Sequence, residues 1–277
     1  MTDPQSLAPD FARRYGPRAL ILGGSEGIGL AFAERLAAAG LDLTLIARSG
    51  EKLEAAANSI TASHAIDVQT LVLDLTGRDV EERAAEIVAA QDYGLVIYNA
   101  GATHGVGLFL EQPADRALNL VRLNCATPLA FAHPALSAMR RRGRGGLILI
   151  SSMSGMAGSG YVAAYAASKC FEIVLAEGLH WEMAREGVDV MCAVATLTDT
   201  PAMRRSGMVE IDGLVPMEAD AFAGGALDAL GSAPIWYAVG EAAADAMRGN
   251  RRTANTANAS RMSAQLWGID AERPIQG

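Results

Sequence analysis

A glycine-rich turn near the start of the chain constrains the fold more than any other feature. Residues 18–29 read Arg-Ala-Leu-Ile-Leu-Gly-Gly-Ser-Glu-Gly-Ile-Gly, and an alanine-rich helical stretch follows up to Ala39. A strand that turns through glycines into a helix directs unpaired backbone N–H groups and the helix dipole towards one point, where they attract a phosphate. Gly23, Gly27 and Gly29 suit this turn because the backbone must turn tightly and approach both a ligand and a strand. The turn lacks the Gly-Lys-Ser/Thr ending that a nucleoside triphosphate site needs.

Apolar segments and alanine-rich segments alternate along the rest of the chain. The pattern predicts strands at 18–22, 42–47, 69–73, 94–98, 146–151, 188–194 and 235–239. It predicts helices at 28–39, 50–62, 79–91, 112–140, 162–186 and 217–230. Strict alternation indicates an α/β fold of the Rossmann type, in which a doubly wound, seven-stranded parallel sheet carries helices on both faces of a single domain.

Composition argues against several classes of partner. The chain of 277 residues has a net charge of −8 and no extended basic patch, which disfavours nucleic acid and anionic membranes. We expect its one basic run, at 140–144, to end a helix and complement the dipole. No apolar run approaches the roughly twenty residues that span a bilayer, and the start lacks a leader pattern, so we expect a cytoplasmic protein. The cysteines and histidines lack ligand spacing and predict no metal site: Cys125, Cys170, Cys192, His64, His104, His133 and His180.

A tyrosine and a lysine four residues apart indicate proton transfer. Tyr165 and Lys169 lie in a predicted helix, where this spacing places both side chains on one face. Ser152 comes at the end of a predicted strand and can present its hydroxyl opposite them. A free phenol has a pKa of about 10, and a fixed ammonium nearby lowers it, so a tyrosine becomes usable as a general acid or base. The alternative is a packed phenol beside a solvated lysine.

The charge after the second predicted strand bears on cofactor choice. Arg48 ends this strand about twenty residues after the glycine turn, where an NAD-specific protein places an acid for the ribose hydroxyls. A guanidinium there suits a 2′-phosphate, and Ser49 adds a further donor. Glu26 argues the other way, since an anion in the turn repels a phosphate bound close by. The sequence favours NADP(H) over NAD(H); the alternative is that Arg48 is an ordinary solvated arginine.

These motifs together resemble the short-chain dehydrogenase/reductase family, single-domain type. The resemblance covers residues 18–203 and is carried, in the family's order and spacing, by the turn 23–29, the segment Asn99-Ala100-Gly101, Asn124, Ser152 and the Tyr165-x-x-x-Lys169 pair. The segments 15–17 and 46–53 are similar to the 3-ketoacyl-CoA reductase and 17-beta-hydroxysteroid dehydrogenase branch.

The resemblance implies a role for each catalytic residue. Tyr165 is the general acid or base, and Ser152 holds the substrate oxygen. Lys169 assists the phenol and binds the nicotinamide ribose, while Asn124 holds a water that links the lysine to solvent; the alternative for Asn124 is a hydrogen-bonded helix kink. Asp74 is implied to accept a hydrogen bond from the adenine amino group, with a charge at a helix N-terminus as the alternative.

The implied cofactor site includes one departure from the family pattern. Ala195-Thr196 stands where the family usually has proline and glycine, which concerns the local turn and not the chemistry. Thr200 keeps the position of a threonine that bonds the nicotinamide amide. The full set is Gly23, Ser25, Glu26, Gly27, Ile28, Gly29, Arg48, Ser49, Asp74, Leu75, Asn99, Ala100, Gly101, Tyr165, Lys169, Ala195, Thr196, Thr198 and Thr200.

We therefore expect an NADP(H)-dependent oxidoreductase that interconverts a ketone and a secondary alcohol on a hydrophobic substrate, such as a 3-ketoacyl or steroid compound. A fold-related lyase and a non-catalytic dinucleotide-binding protein are the alternatives. The predicted helices 112–140 and 162–186 would join subunits in a homodimer or homotetramer.

The domain boundaries follow from the same pattern. Residues 1–17 are expected to form an N-terminal extension and 18–250 the catalytic domain. A substrate lid is expected at about 197–224, with core packing as the alternative for its apolar residues, which are Met203, Met208, Val209, Ile211, Leu214, Val215, Met217 and Phe222. Residues 251–277 form a tail that either docks on a neighbouring subunit through Trp267 or is disordered.

Overall fold

One central sheet of seven parallel strands organises the protein. The computed structural model describes residues 7–101, 106–208, 213–248 and 253–269. The strands are β1 (Arg18–Leu22), β2 (Asp42–Ala47), β3 (Val68–Val72), β4 (Tyr93–Tyr98), β5 (Gly145–Ser152), β6 (Val188–Ala195), β7 (Thr198–Asp199), β8 (Met217–Glu218) and β9 (Ile235–Tyr237). The sheet order is β3-β2-β1-β4-β5-β6-β9, with β7 and β8 forming a separate parallel pair. The strand order runs outward in both directions from β1 and β4, which confirms the predicted doubly wound, Rossmann-type sheet.

Helices connect the strands and cover both faces of the sheet. Within the described residues the α-helices are α1 (Phe11–Tyr15), α2 (Gly27–Ala38), α3 (Gly50–Ser63), α4 (Val80–Ala90), α5 (Ala114–Val121), α6 (Thr127–Arg142), α7 (Ala163–Met183), α8 (Pro201–Arg205), α9 (Ala219–Ala229), α10 (Glu241–Arg248) and α11 (Thr253–Leu266). Shorter 3₁₀ turns lie at Phe109–Glu111, Met153–Met156 and Ala184–Glu186, and a π-helical segment lies at Arg122–Ala126.

Two apolar cores lie on opposite faces of the sheet. Along β1, Leu20 and Leu22 belong to one core and Ala19 and Ile21 to the other, because successive strand residues point to opposite faces. The first core is completed by residues of α4, α6 and α7, and the second by residues of α2, α3 and α9. Since both faces are covered, the central strands are apolar throughout, as is typical of parallel sheets.

The single helix predicted at 112–140 is wrong, because the chain there forms α5, a π-helical segment and α6 in succession. Pro128 explains part of this break. It has no backbone N–H to donate to the carbonyl of Asn124, so the regular α-helical ladder cannot continue through this turn. The resulting π-helical segment contains Asn124, a placement often found for functional residues.

Both ends of the chain contain helices that the sequence pattern did not predict. Helix α1 buries Phe11 and Tyr15, and the Tyr15 hydroxyl donates a 2.7 Å hydrogen bond to Asp189. In the predicted tail, α11 packs on its own chain, where Ser260 Oγ accepts from the backbone N–H of Gly160 at 2.7 Å. Helix α11 was missed because its sequence is polar and alanine-rich, without a continuous apolar stripe.

Among the helices of the described residues, none combines the length and the apolar character that a membrane span requires. No group of three or more histidine, cysteine, aspartate or glutamate side chains is arranged to hold a metal ion in that same part of the chain. His104 and the predicted lid residues Val209 and Ile211 lie outside the described residues.

Candidate active site

A cavity of about 1040 Å³ lies at the carboxyl ends of the central strands. It occupies the place where β1 and β4 lead to opposite sides of the sheet, which is where ligands bind in doubly wound folds. Nearly all of the predicted site residues line it. They are Gly23, Ser25, Glu26, Gly27, Ile28, Arg48, Ser49, Asp74, Leu75, Asn99, Ala100, Gly101, Ser152, Tyr165, Lys169, Ala195, Thr196, Thr198 and Thr200. The two exceptions, Gly29 and Asn124, are buried and do not line it.

The glycine turn has no room for larger residues. Gly23 has a positive φ of +82°, and a Cβ on Gly29 would lie 2.0 Å from the carbonyl oxygen of Gly23. The Asn99 side chain donates to that same carbonyl at 2.9 Å and so joins the ends of β1 and β4. The amino end of α2 therefore lies close against the strands and opens directly into the cavity. This backbone cradle fits the pyrophosphate of a dinucleotide.

The cavity rim beside the glycine turn carries more positive than negative charge. Glu26 is paired with Lys52 at 2.6 Å and also with Arg205. Hydrogen bonding from Arg205, followed by that from Lys52, lowers the pKa of Glu26. With two cations on this one carboxylate, its repulsion of a nearby phosphate is offset, and Arg48 adds a further exposed cation to the rim.

The segment after β3 holds Asp74 in a turn of its own. One Asp74 carboxylate oxygen accepts hydrogen bonds from the backbone N–H and the hydroxyl of Thr76, at 3.0 and 2.8 Å. These bonds, with a smaller contribution from Arg48, lower the pKa of Asp74. Helix α4 begins only at Val80, so Asp74 is not a charge at its N-terminus. The second carboxylate oxygen takes no part in these bonds.

Helix caps account for two of the predicted binding hydroxyls. Ser49 caps α3 by accepting from the N–H of Lys52 at 3.3 Å, and Thr200 caps α8 by accepting from the N–H of Met203 at 3.1 Å. Both hydroxyls keep their hydrogen for donation towards the cavity. A Cβ on Gly27 would lie 3.1 Å from the Thr200 methyl carbon, which shows how closely the segment after β6 covers the glycine turn.

Ser152, Tyr165 and Lys169 meet at the inner end of the cavity. The Lys169 ammonium lies 6.0 Å from the centre of the Tyr165 ring. Ser152 Oγ accepts from the N–H of Ser154 at 3.2 Å, which leaves its own hydrogen free to donate. The backbone of α7 is tied to β5 at this point, because the Ser151 hydroxyl donates to the carbonyl of Lys169 at 2.6 Å. The strand end and the helix face thus present their side chains to one space.

Asn124 supports this arrangement from behind. Its side chain is fully buried, and its amide nitrogen donates to the Ser168 hydroxyl at 2.9 Å. Ser168 in turn donates to the Tyr165 carbonyl at 2.8 Å, so Asn124 is linked to the turn of α7 that carries Tyr165 and Lys169. The Asn124 Oδ1 atom has no hydrogen-bond partner among the described residues, although buried amide oxygens usually have one.

Glu172 is a residue of this site that the sequence reasoning missed. Its carboxylate oxygens lie 3.0 and 2.9 Å from the Lys169 ammonium, and its side chain is fully buried. Burial raises the pKa of Glu172 to about 7, against the opposing effect of Lys169. Burial alone would lower the pKa of Lys169, but Glu172 reverses this, and the net shift is upward. A glutamate three residues after the lysine, on the buried face of a predicted helix, was the signal available in the sequence.

The far end of the cavity is apolar and is formed by residues from the last part of the chain. Met203, Met208 and Leu214, all predicted lid residues, line it. Helix α11 and the turn after it contribute a group that was not predicted at this place: Met262, Ser263, Leu266 and Trp267. Ser263 and Ser159 share a 2.7 Å hydrogen bond, which fixes α11 beside the loop after β5.

The predicted lid does not behave as one unit. Phe222 lies in the core, fully buried against Phe32 and Trp236, and Met217 packs against that same core. The core-packing interpretation therefore holds for α9, while the segment around α8 borders the cavity.

Comparison with known proteins identifies the family. The family profile described as short chain dehydrogenase matches residues 17–209. The chain is 33% identical over 192 residues to the 7beta-hydroxysteroid dehydrogenase of Clostridium sardiniense, covering 69% of this chain and 73% of that protein. It is 31% identical over 195 residues to the very-long-chain 3-oxoacyl-CoA reductase of Neurospora crassa, covering 68% of this chain but only 59% of the reductase. Another relative, at 32% identity, carries the name inactive hydroxysteroid dehydrogenase-like protein 1, from Mus musculus, and the match spans 57% of its length.

Solved structures agree with this assignment. A short-chain dehydrogenase from Sphingobium yanoikuyae, determined in complex with NADPH, matches with a TM-score of 0.76 and 26% identity, covering 94% of this chain and 99% of that one. The protein belongs to the short-chain dehydrogenase/reductase family of oxidoreductases, which confirms the predicted family and its relation to the hydroxysteroid dehydrogenase and 3-ketoacyl-CoA reductase branch.

Proposed function

We propose that the protein is an NADP(H)-dependent reductase and dehydrogenase that interconverts a hydrophobic ketone and the corresponding secondary alcohol. One observation carries the proposal: Ser152, Tyr165 and Lys169 line the same cavity as the glycine turn. The proposed proton donor, Tyr165, thus lines the same cavity as a backbone turn that fits a dinucleotide.

The protein side chains bind the substrate oxygen and supply its proton. A nicotinamide ring bound along the glycine turn supplies or takes up the hydride. Ser152 donates its free hydroxyl hydrogen to the substrate carbonyl oxygen, and Tyr165 transfers a proton to that oxygen in the reductive direction. Lys169 favours loss of the phenolic proton. Because negative charge develops on the oxygen in the transition state, donors fixed around it lower the barrier selectively.

Asn124 completes the proton path in this proposal. A water bound to its Oδ1 atom would return protons from solvent towards Lys169, as the family resemblance implies. Asn124 Oδ1 supports this role because it is a buried acceptor with no hydrogen-bond partner among the described residues. It also lies close to the lysine: a Cβ added to Gly101 would lie 3.5 Å from Oδ1 and 3.0 Å from the Lys169 ammonium.

The preference for NADP(H) rests on the cations of the rim. Arg48 lies just before α3, where a 2′-phosphate can accept its guanidinium hydrogens together with that of the Ser49 hydroxyl. Glu26, the residue that argued against a phosphate, is neutralised by Lys52 and Arg205. Asp74 provides an acceptor for the adenine amino group.

The hydrophobic substrate class rests on the other end of the cavity. Thioethers, a leucine pair and an indole surround this space, and few charged groups face it. The names of the related steroid dehydrogenase and 3-oxoacyl-CoA reductase support a bulky apolar ketone.

A fold-related lyase and a non-catalytic binding protein are the competing proposals. The lyases that borrow this fold replace the lysine by arginine and fill the nicotinamide site, whereas Lys169 is present here and the glycine turn opens into the cavity. A non-catalytic protein has no use for all three of Ser152, Tyr165 and Lys169. We therefore favour the oxidoreductase.

We also propose that two copies pair through α5 and α7, as a homodimer or as half of a homotetramer. These neighbouring helices expose large apolar side chains, including Leu118, Val121, Val174 and Trp181. Single exposed apolar residues are ordinary, but a row on two adjacent helices suits a symmetric interface. Light scattering after size-exclusion chromatography tests this, with Trp181→Glu expected to yield monomers.

The activity is tested by following NADPH absorbance with a panel of hydrophobic ketones that includes steroid and 3-ketoacyl compounds. We expect ketone-dependent oxidation of NADPH, with NADH less efficient. Cofactor binding by fluorescence without turnover of any ketone or alcohol would favour the non-catalytic alternative, and release of a leaving group without a cofactor would favour the lyase.

A further inference from the structure

We propose that Glu172 is a positioning residue of the active site, whose buried carboxylate is the counter-ion that keeps Lys169 protonated and fixed beside Tyr165. The inference rests on the proposed function, because it assigns a role within the same site. It adds a third ionisable side chain to the two, Tyr165 and Lys169, that the family pattern supplies.

The geometry leaves the lysine head group little freedom. Glu172 follows Lys169 by one turn of α7, so both side chains extend from the same face of the helix. The ammonium contacts both carboxylate oxygens, at 3.0 and 2.9 Å, and the carbonyl oxygen of Ile150, at 2.9 Å. These three acceptors hold the ammonium in place. The head group is fixed between the end of β5 and its own helix.

Burial makes the counter-charge necessary. The Lys169 side chain is only 5% exposed and that of Glu172 is not exposed at all. An ammonium removed from water loses its hydration, which favours the neutral amine unless an anion or several acceptors replace the water. A carboxylate that contacts the ammonium through both oxygens restores the preference for the charged form.

No other anion within the described residues takes this place. The titratable groups that face the pair are Tyr165 on α7, Tyr98 at the end of β4, Cys125 in the π-helical segment and Cys192 in β6. Burial raises the pKa of Tyr98, Cys125 and Cys192, so these three stay uncharged at neutral pH. The charge of Lys169 therefore depends on Glu172.

This dependence distinguishes a positioning role from a purely structural ion pair. In the proposed mechanism Lys169 must carry a charge to favour proton loss from the phenol. Without Glu172 the buried ammonium would lose its proton at lower pH. Turnover would therefore begin to decrease at a lower pH as the solution is made more alkaline. A structural pair would affect folding stability but would not move the pH dependence of turnover.

The chain offers a direct test because it contains only two lysines, Lys52 and Lys169. Lysine labelled with ¹³C at Cε gives two side-chain NMR signals, and Lys52→Arg assigns them. In the wild-type protein we expect Lys169 to remain protonated beyond the ordinary lysine value of about 10.4, despite its burial. In Glu172→Gln, which keeps the shape and removes the charge, we expect its titration to fall by at least about one pH unit. Glu177→Gln, an exposed change on the same helix, should leave it in place.

The same variants test the reaction. For ketone reduction, we expect the kcat of Glu172→Gln relative to wild type to fall with rising pH in the range where Lys169 has lost its proton in the variant but not in the wild type, while KM for the ketone changes little. Glu172→Asp, which restores the charge with a shorter reach, should recover most of this loss. An unchanged Lys169 titration in Glu172→Gln, or an unchanged pH profile, would overturn the inference.

Two further outcomes keep the inference separate from the proposed function. If the wild-type protein reduces no ketone, the proposed function fails, but the NMR titration still decides the role of Glu172. If Glu172→Gln does not fold, the wild-type titration decides: loss of the Lys169 proton well below the ordinary value would contradict the inference, and retention above it would support it.

Discussion

The two ends of the cavity are built in different ways. The polar end consists of strand ends, a glycine turn and helix caps, and its residues are held by backbone hydrogen bonds such as that from Asn99 to Gly23. The apolar end consists of side chains from α8, the segment after it and α11, which come from the last third of the chain. The path of the backbone determines the polar end, whereas side chains from separate segments form the apolar end. Only the first kind leaves a pattern in the sequence.

The largest expected effect separates chemistry from binding at the polar end. Tyr165→Phe removes the phenolic proton and keeps the ring, so we expect kcat for ketone reduction to fall about 10²–10⁴-fold. The NADPH dissociation constant, measured by fluorescence titration, should change little. The control is Tyr161→Phe, four residues earlier and outside the cavity lining, which should retain full turnover. If Tyr165→Phe also retained it, the assignment of the proton donor would be wrong.

The next largest effect concerns the border of the apolar end. Phe222 belongs to the core rather than to a lid, so Phe222→Ala should lower the free energy of unfolding by about 3–5 kcal/mol. Its kcat and KM, measured at a temperature where the variant remains folded, should stay close to the wild-type values. Denaturant unfolding measures the first quantity. A small loss of stability together with a raised KM for the ketone would instead indicate that Phe222 contacts the substrate.

The difference between the two ends explains which features the sequence predicted. The strands, the glycine turn and the Tyr165–Lys169 spacing each follow from a local rule of backbone geometry or helix periodicity, and all of them meet in one cavity. The break in the helix around Asn124 was raised only as an alternative, a hydrogen-bonded kink, because the sequence shows Pro128 but not how the preceding turn accommodates it.

Contacts between distant segments had no local signal. The spacing of Glu172 from Lys169 on α7 is visible in the sequence, but the burial of this pair, which depends on packing against distant segments, is not. Trp267 and Met262 reach the cavity only because Ser260 and Ser263 bind the loop after β5, about a hundred residues earlier in the chain. Polar anchors of this kind depend on tertiary folding, and no spacing in the sequence of α11 reveals them.

Cofactor choice tests the polar end at its rim. Arg48→Ala removes a guanidinium that we expect to contact the 2′-phosphate. We expect kcat/KM with NADPH to fall about 10- to 100-fold, which corresponds to the free energy that hydrogen bonds to a charged group usually contribute. The same constant with NADH should stay nearly unchanged. Arg83→Ala on α4 removes a partly exposed arginine that does not line the cavity and should affect neither. Equal losses of kcat/KM with both cofactors would show that Arg48 does not contact the 2′-phosphate.

Substrate choice tests the apolar end. Trp267→Ala removes a large apolar surface, and we expect KM for a bulky ketone to rise about 3- to 10-fold while that for a small ketone changes little. The indole nitrogen has no hydrogen-bond partner among the described residues, so Trp267→Phe separates its two contributions. If the phenylalanine variant behaves as wild type, an aromatic surface is sufficient; if it behaves as the alanine variant, the whole indole is required. No change in either variant would place α11 outside the substrate site.

The smallest effect comes from the second lysine–glutamate pair of the chain. Lys52 and Glu26 contact each other at 2.6 Å, like Lys169 and Glu172, but they lie at the rim and are partly exposed to solvent. An exposed pair of this kind contributes about 0.2–1 kcal/mol and is screened by salt, so Lys52→Met should reduce the free energy of unfolding only slightly.

The pH dependence of that small loss follows from Glu26. Its pKa is lowered in the folded protein, first by Arg205 and then by Lys52, so the pair stabilises the fold above the ordinary carboxyl value of 4.5 and loses this effect as the pH falls through the lowered value. The difference in unfolding free energy between wild type and Lys52→Met should therefore be constant near neutrality and shrink below pH 4.5. A loss of unfolding free energy above about 2 kcal/mol, or a loss independent of salt and pH, would contradict this expectation. It would mean that Lys52 at the rim is as shielded from water as Lys169 in the interior.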